Sequence, residues 1–185
     1  MLKYNSFFKQ KVDKLFRPVA DVIYRRWGVT PDVLTWLSFL IANGAVISIV
    51  LGRVGMGMTL LTLAMVLDGL DGMVARNFGL ESDKGEWLDA ILDTVNEICL
   101  FLVLPLVGLA AWKLGFLASV AVVLVRILRK KAKFDPWFKR MVLVFGFFTS
   151  FDLALTIIFG ANLLGFAVQM LIIDYRYQRL LDSRN

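Results

Sequence analysis

The sequence predicts an all-α integral membrane protein: six transmembrane helices preceded by an N-terminal amphipathic interfacial helix. Three observations predict it. Apolar residues fill 58% of the 185 positions and the mean hydropathy is +0.70, whereas soluble domains hold roughly 45–50% apolar residues. Several windows reach the roughly 18 apolar residues that cross a bilayer. Between those windows Lys and Arg are distributed very unevenly, in the manner of loops on the two sides of a membrane.

In chain order, residues 1–27 read as a juxtamembrane amphipathic helix. Phe8, Val12, Leu15, Phe16, Val19, Ile23 and Trp27 recur at helical spacing, with Lys9, Lys11, Lys14 and Arg17 elsewhere on the wheel. An ordinary packed helix is the alternative for this segment. Residues 28–185 then form one membrane domain with spans at about 33–52, 57–76, 86–107, 109–128, 140–159 and 161–175, the last of them short. Thr30 and Pro31 supply an N-cap and a first helical position for the first span. A long charged segment precedes that span, so no cleavable signal peptide is expected.

If both termini lie on one side, every Lys and Arg except Arg53 and Lys113 lies there too. The positive-inside rule then makes this a multi-pass cell-membrane protein with both termini in the cytoplasm. The net charge of +6 is thereby topological and is no footprint of nucleic acid. Histidine is absent and Cys99 is the single cysteine, which excludes an intramolecular disulfide, His- or Cys-ligated zinc and histidine base catalysis. Chemistry is left to carboxylates, Arg, Lys, hydroxyls and backbone, and carboxylates favour hard divalent cations.

Four aspartates interrupt this apolar chain within one helical hairpin. Asp68 and Asp71 are three residues apart, Asp89 and Asp93 four apart, so each pair shares a helix face. A charge inside a membrane helix costs roughly 2.5–3.5 kcal/mol and marks function. With Arg76 and Gly85 taken as the cytoplasmic ends of the two helices, Asp68 and Asp93 lie about 12 Å deep and Asp71 and Asp89 about 6–8 Å deep. Side by side and antiparallel, the helices would form an acidic cup open to the cytoplasm and suited to divalent metal. Gly69, Gly72 and Gly85 clear its walls, and Arg76 at the rim offers planar contact to a phosphate. Metal, glycine access and arginine together point to phosphoryl chemistry on a diphosphate. Acidic membrane hairpins also occur in cation transporters and proton pathways, which leaves transport as the other class.

The string Asp68-x2-Asp71-Gly72-x2-Ala75-Arg76-x8-Gly85-x3-Asp89-x3-Asp93 resembles the complete signature of the CDP-alcohol phosphotransferases, also called CDP-alcohol phosphatidyltransferases, with eight fixed positions over 26 residues. The resemblance implies a six-helix fold over nearly the whole chain. It implies that Asp68, Asp71 and Asp89 ligate a pair of Mg²⁺ or Mn²⁺ ions, with Asp93 as ligand, general base or both. Gly69, Gly72 and Ala75 would line the cytidine pocket, with Gly85 near it, and Arg76 would contact the diphosphate. Pro31-Asp32-Val33-Leu34-Thr35 stands where the family often has Pro-Asn-x-Leu-Thr. Asp32 departs from that pattern, while Thr35 keeps its place as a nucleotide contact. The implied reaction is direct displacement: an acceptor hydroxyl attacks the phosphorus bearing the alcohol in a CDP-alcohol donor, and CMP leaves.

The acceptor is expected to carry a phosphate of its own. Arg126 and Arg140 sit at the inner ends of two spans and Arg176 ends the last, amid a basic cluster with Arg129, Lys130, Lys131, Lys133 and Lys139 that topology and anionic lipids also account for. Leu88-Asp-Ala-Ile-Leu-Asp93-Thr94 looks more like the inositol-phosphate branch than the glycerol-phosphate branch, although Thr94 replaces a residue basic in both. Phe138-Lys139-Arg140-Met141 resembles the inositol-phosphate branch as well. An inositol-phosphate acceptor is favoured over glycerol phosphate. The donor would be a CDP-linked lipid or, as the alternative, CDP-inositol. Membrane lipids are the expected surroundings and a homodimer the expected assembly. Asp152 is read as a helix-packing or dimer contact.

Overall fold

A computed structural model describes residues 17–132 and 139–182, with side chains 129–131 and 180–182 outside the description. Among the described residues helices are joined by short turns, with no strand. Six principal helices run in order: α1 (Pro31–Val50), α2 (Val54–Phe78), α3 (Asp83–Leu106), α4 (Trp112–Ala132), α5 (Lys139–Phe148) and α6 (Phe151–Asp182). Pro31 opens α1 from an extended Thr30, whose side chain makes no capping bond, so Thr30 holds the expected position without the expected hydrogen bond. Gly79 at φ 65° ends α2 in the left-handed conformation, which a glycine adopts without strain. Ser82 Oγ accepts the Gly85 N–H at 3.0 Å and starts α3. Asp83 and Glu86 in the first turn of α3 complement its dipole. Two ordered termini, four residues apart, thus fix the hairpin that carries the aspartates.

One apolar core joins all six helices, with Ile49, Leu61, Phe101, Val122, Leu143 and Leu155 at its centre. Small residues let the backbones close up, as bundles in lipid require. A Cβ on Gly57 would stand 2.6 Å from Ile49 Cγ1, and one on Gly115 would strike the Phe101 carbonyl oxygen. Among the described residues, three helices are long and apolar enough to cross a membrane: Pro31–Val50, Val54–Phe78 and Phe151–Arg179. The chain is therefore a membrane protein. Its charged helices α3 and α4 fall outside that group, and α5 has only 10 residues.

The expected spans 140–159 and 161–175 need correction. The chain breaks at residues 149–150, and α6 continues unbroken through the predicted boundary near 160. The Ser150 carbonyl accepts the Ala154 N–H at 3.0 Å to begin α6, and a Cβ on Gly146 would stand 2.7 Å from Ala154 Cβ. Asp152 Oδ1 accepts the Ala111 N–H at 2.7 Å, tying this turn to the connection between α3 and α4. Replacing Asp152 with Ala removes this exposed hydrogen bond and is expected to cost about 1 kcal/mol of stability. A lowered thermal midpoint with the reaction chemistry intact is the result to look for.

Residues 1–16 of the predicted amphipathic segment lie outside the described residues. Its remainder is helical at 17–21 and widens into a π-turn at Val22–Arg26. Ala20 and Ile23 pack on Leu34, Met73 and Val74, while Val19, Val22 and Trp27 are exposed.

Candidate active site

The spacing of the aspartates does its work across the α2–α3 hairpin. Carboxylate oxygens of Asp68, Asp71 and Asp89 all lie within 4.8 Å of one another. Asp71 is buried and accepts a 2.6 Å hydrogen bond from Thr35 Oγ1, which also faces the Pro31 carbonyl at 3.1 Å. Three hard oxygen donors at such close quarters, with no soft ligand nearby, fit a divalent cation of the Mg²⁺, Mn²⁺ or Ca²⁺ kind. Asp93, one turn deeper on α3, is held differently: its carboxylate pairs with the Arg140 guanidinium, whose other end stands 3.5 Å from Asp68 Oδ1.

On one side of the carboxylate cluster a cavity of about 520 Å³ opens between the start of α1, the end of α2 and the start of α3. Thr35, Gly72, Ala75, Arg76 and Gly85 line it, together with Asp71 and Asp89. Its size matches a nucleotide-sized ligand. A Cβ on Gly72 would stand 2.9 Å from Arg76 Nη1, so glycine there leaves the arginine its room. Gly69, expected in the same wall, is exposed, has nothing within 4 Å of a built Cβ, and does not line the cavity.

Asp32, Ser82 and Glu86 line the cavity as well. Ser82 was legible as a serine just before a charged first turn, the common signal for a helix start. Glu86 carried no signal beyond its place in that turn.

A family model matches residues 28–173, described as CDP-alcohol phosphatidyltransferase. The chain belongs to that family. Among curated CDP-alcohol phosphatidyltransferase relatives, the phosphatidylinositol phosphate synthase of Cutibacterium acnes is 37% identical over 48% of this chain and 42% of its own length. The archaetidylinositol phosphate synthase of Pyrococcus horikoshii is 29% identical over 68% of this chain and 64% of its own length. The chain thus spans less than two thirds of either relative. Two solved structures of Mycobacterium tuberculosis phosphatidylinositol phosphate synthase share the fold at a TM-score of 0.68 and 19% identity, each covering 84% of this chain. One covers 87% of its own chain and is in complex with manganese and citrate; the other covers 92% and has CDP-DAG bound.

In this CDP-alcohol phosphatidyltransferase the predicted acceptor arginines divide. Arg140 is buried against Asp68 and Asp93. Arg126 Nε donates to Thr94 Oγ1 at 2.8 Å, and that hydroxyl donates in turn to the Ala90 carbonyl at 2.7 Å. Both cations therefore meet the same stretch of α3. Arg176 is exposed on the last part of α6.

Proposed function

We propose that the protein transfers a lipid-bearing phosphate from a CDP-linked lipid to a hydroxyl of an inositol phosphate and releases CMP. The observation that carries this reading is a three-carboxylate cluster, two of whose members, Asp71 and Asp89, stand in the wall of a nucleotide-sized cavity that also bears Arg76. Two relatives named for inositol phosphate synthases support the acceptor, as do the two arginines brought against α3 beside Asp93.

Asp68, Asp71 and Asp89 would hold the divalent metal, as a pair of Mg²⁺ or Mn²⁺ ions. Bound there, the metal would supply charge neutralisation for the diphosphate and for departing CMP. Thr35 fixes the Asp71 carboxylate. Arg76 grips the diphosphate at the rim, where its planar fork matches phosphate oxygens, while Gly72, Ala75 and Gly85 let the nucleotide lie close to the helices. Asp93 takes the proton of the acceptor hydroxyl. That oxygen bonds to the lipid-bearing phosphorus as the phosphorus–oxygen bond to CMP breaks and its electron pair leaves with CMP. Arg140 and Arg126, joined by Arg176, receive the acceptor's own phosphate. The bundle sits in the cell membrane as a homodimer with six membrane-embedded helices. Residues 1–27 lie along the interface, and both termini and the site face the cytoplasm, the side that gathers the basic residues.

The test is CMP release from detergent-solubilised protein given CDP-DAG and, in separate reactions, inositol phosphate, glycerol phosphate, serine or free inositol. CMP is expected only with donor, phosphorylated inositol and divalent metal together. Preference for glycerol phosphate would reassign the acceptor, and turnover of CDP-inositol alone would reassign the donor. Metal-dependent ion flux in sealed vesicles, with no CMP from any donor, would overturn the enzyme reading.

A further inference from the structure

Two charged side chains beyond the aspartate cluster are buried as deeply as the apolar core. Lys139 opens α5 and Glu97 lies midway along α3; their side chains are 3% and 5% exposed, and Nζ stands 3.0 Å from Oε2. Such a pair is poorly explained by stability, because apolar residues of similar volume in its place are often neutral or stabilising. Its placement is more informative. Glu97 is one helical turn beyond Asp93, and Lys139 directly precedes Arg140, whose guanidinium reaches Asp93 and Asp68. Successive helical residues point about 100° apart. Lys139 turned toward Glu97 therefore sends Arg140 toward Asp93.

We infer that the Glu97–Lys139 ion pair is a positioning element that sets the register of α5 on α3 and so aims Arg140 at Asp93 and Asp68. The helix needs such a key. With 10 residues, α5 places Leu143 and Gly146 in the core one and two turns after Lys139, and apolar contact is non-directional and permits rotation. A slip of one residue would carry Arg140 about 100° away from Asp93. The two buried charges neutralise each other only while this register brings them together, and a buried polar contact is a known means of specifying register at some cost in stability. The inference gains its meaning from the proposed aspartate site, but its test needs neither turnover nor metal.

The full chain in detergent is treated with phenylglyoxal, and modification at Arg140 and Arg76 is followed by peptide mass spectrometry. Arg76, exposed at the cavity rim, is the internal reference. The double variant Glu97→Met/Lys139→Met removes both charges at nearly constant volume, leaving the net local charge unchanged. The Arg140-to-Arg76 labelling ratio is expected to rise about tenfold, the scale of coupling between contacting groups, with the thermal midpoint near that of the parent. A second, milder variant, Glu97→Asp, shortens the acid and should give a smaller rise. Adding Lys139→Arg to it restores reach and should return the ratio toward the parent value. An unchanged ratio in folded Met/Met and Asp variants would overturn the inference and leave the pair as packing. Absence of CMP release in the acceptor assay would overturn the proposed activity and leave this ratio as it stands.

Discussion

Asp71→Asn is expected to abolish divalent-metal binding and to cut CMP release by at least about 100-fold. Replacing an outer-shell partner of a metal ligand already costs roughly 10–100-fold, and Asp71 stands in the first rank: it supplies one of three clustered carboxylates. Asn preserves the shape of the side chain, and its carbonyl oxygen still accepts from Thr35 Oγ1, now at 2.6 Å from Asp71 Oδ2. The fold should therefore survive, and the loss should be one of charge. Calorimetric titration with Mg²⁺ or Mn²⁺ beside a thermal melt separates these outcomes. Normal metal affinity in a folded Asp71→Asn protein would withdraw Asp68, Asp71 and Asp89 as the metal site.

Arg140→Ala should be the most destabilising single change near the site, and its cost should depend on metal. The guanidinium is 7% exposed and answers both Asp93 and Asp68. Removing one partner of a buried pair costs roughly 3–5 kcal/mol. The two carboxylates are 21% and 31% exposed, so solvent relieves part of this, and about 3 kcal/mol is the expected loss. In chelator, the thermal midpoint should fall by about 6–12 °C. Added Mg²⁺ should recover much of that fall, because a bound cation supplies counter-charge for Asp68. Melts of parent and variant with and without Mg²⁺ measure this directly. A deficit that Mg²⁺ leaves untouched would mean that Arg140 supports packing and has no electrostatic tie to the metal site.

Much of this site could be read from local spacing because helices translate spacing into direction. Three and four residues between aspartates put each pair on one face, and the turn at Gly79 with the cap at Ser82 folds those faces together. Thr35 entered through the resemblance of its Pro31 element to the family's, as a nucleotide contact, and its bond to Asp71 was not foreseen. What escaped was what depends on distant pairing or on polar detail within apolar text. Glu97 and Lys139 lie 42 residues apart, in strings that give neither a reason to be buried. The break at residues 149–150 falls between Phe148 and Phe151, with no proline and no glycine at the turn itself. Hydropathy runs straight across it. Gly69 does not line the cavity because it lies a turn deeper than Gly72, and the α2 part of the lining begins at Asp71.

The cavity and the arginine-held carboxylate lie on different sides of the aspartate cluster. Asp71 and Asp89 belong to the cavity wall, whereas Arg140 and Asp93 meet the cluster through Asp68, which the wall does not include. A nucleotide seated in the cavity would leave in one direction while the attacking alcohol arrives from another. That arrangement favours in-line attack with both substrates present at once, with no covalent phosphoryl-protein intermediate between two half-reactions. In a donor whose transferred phosphorus is made stereogenic by sulfur or oxygen-isotope labelling, that single displacement would invert the configuration, whereas two successive displacements through the protein would retain it.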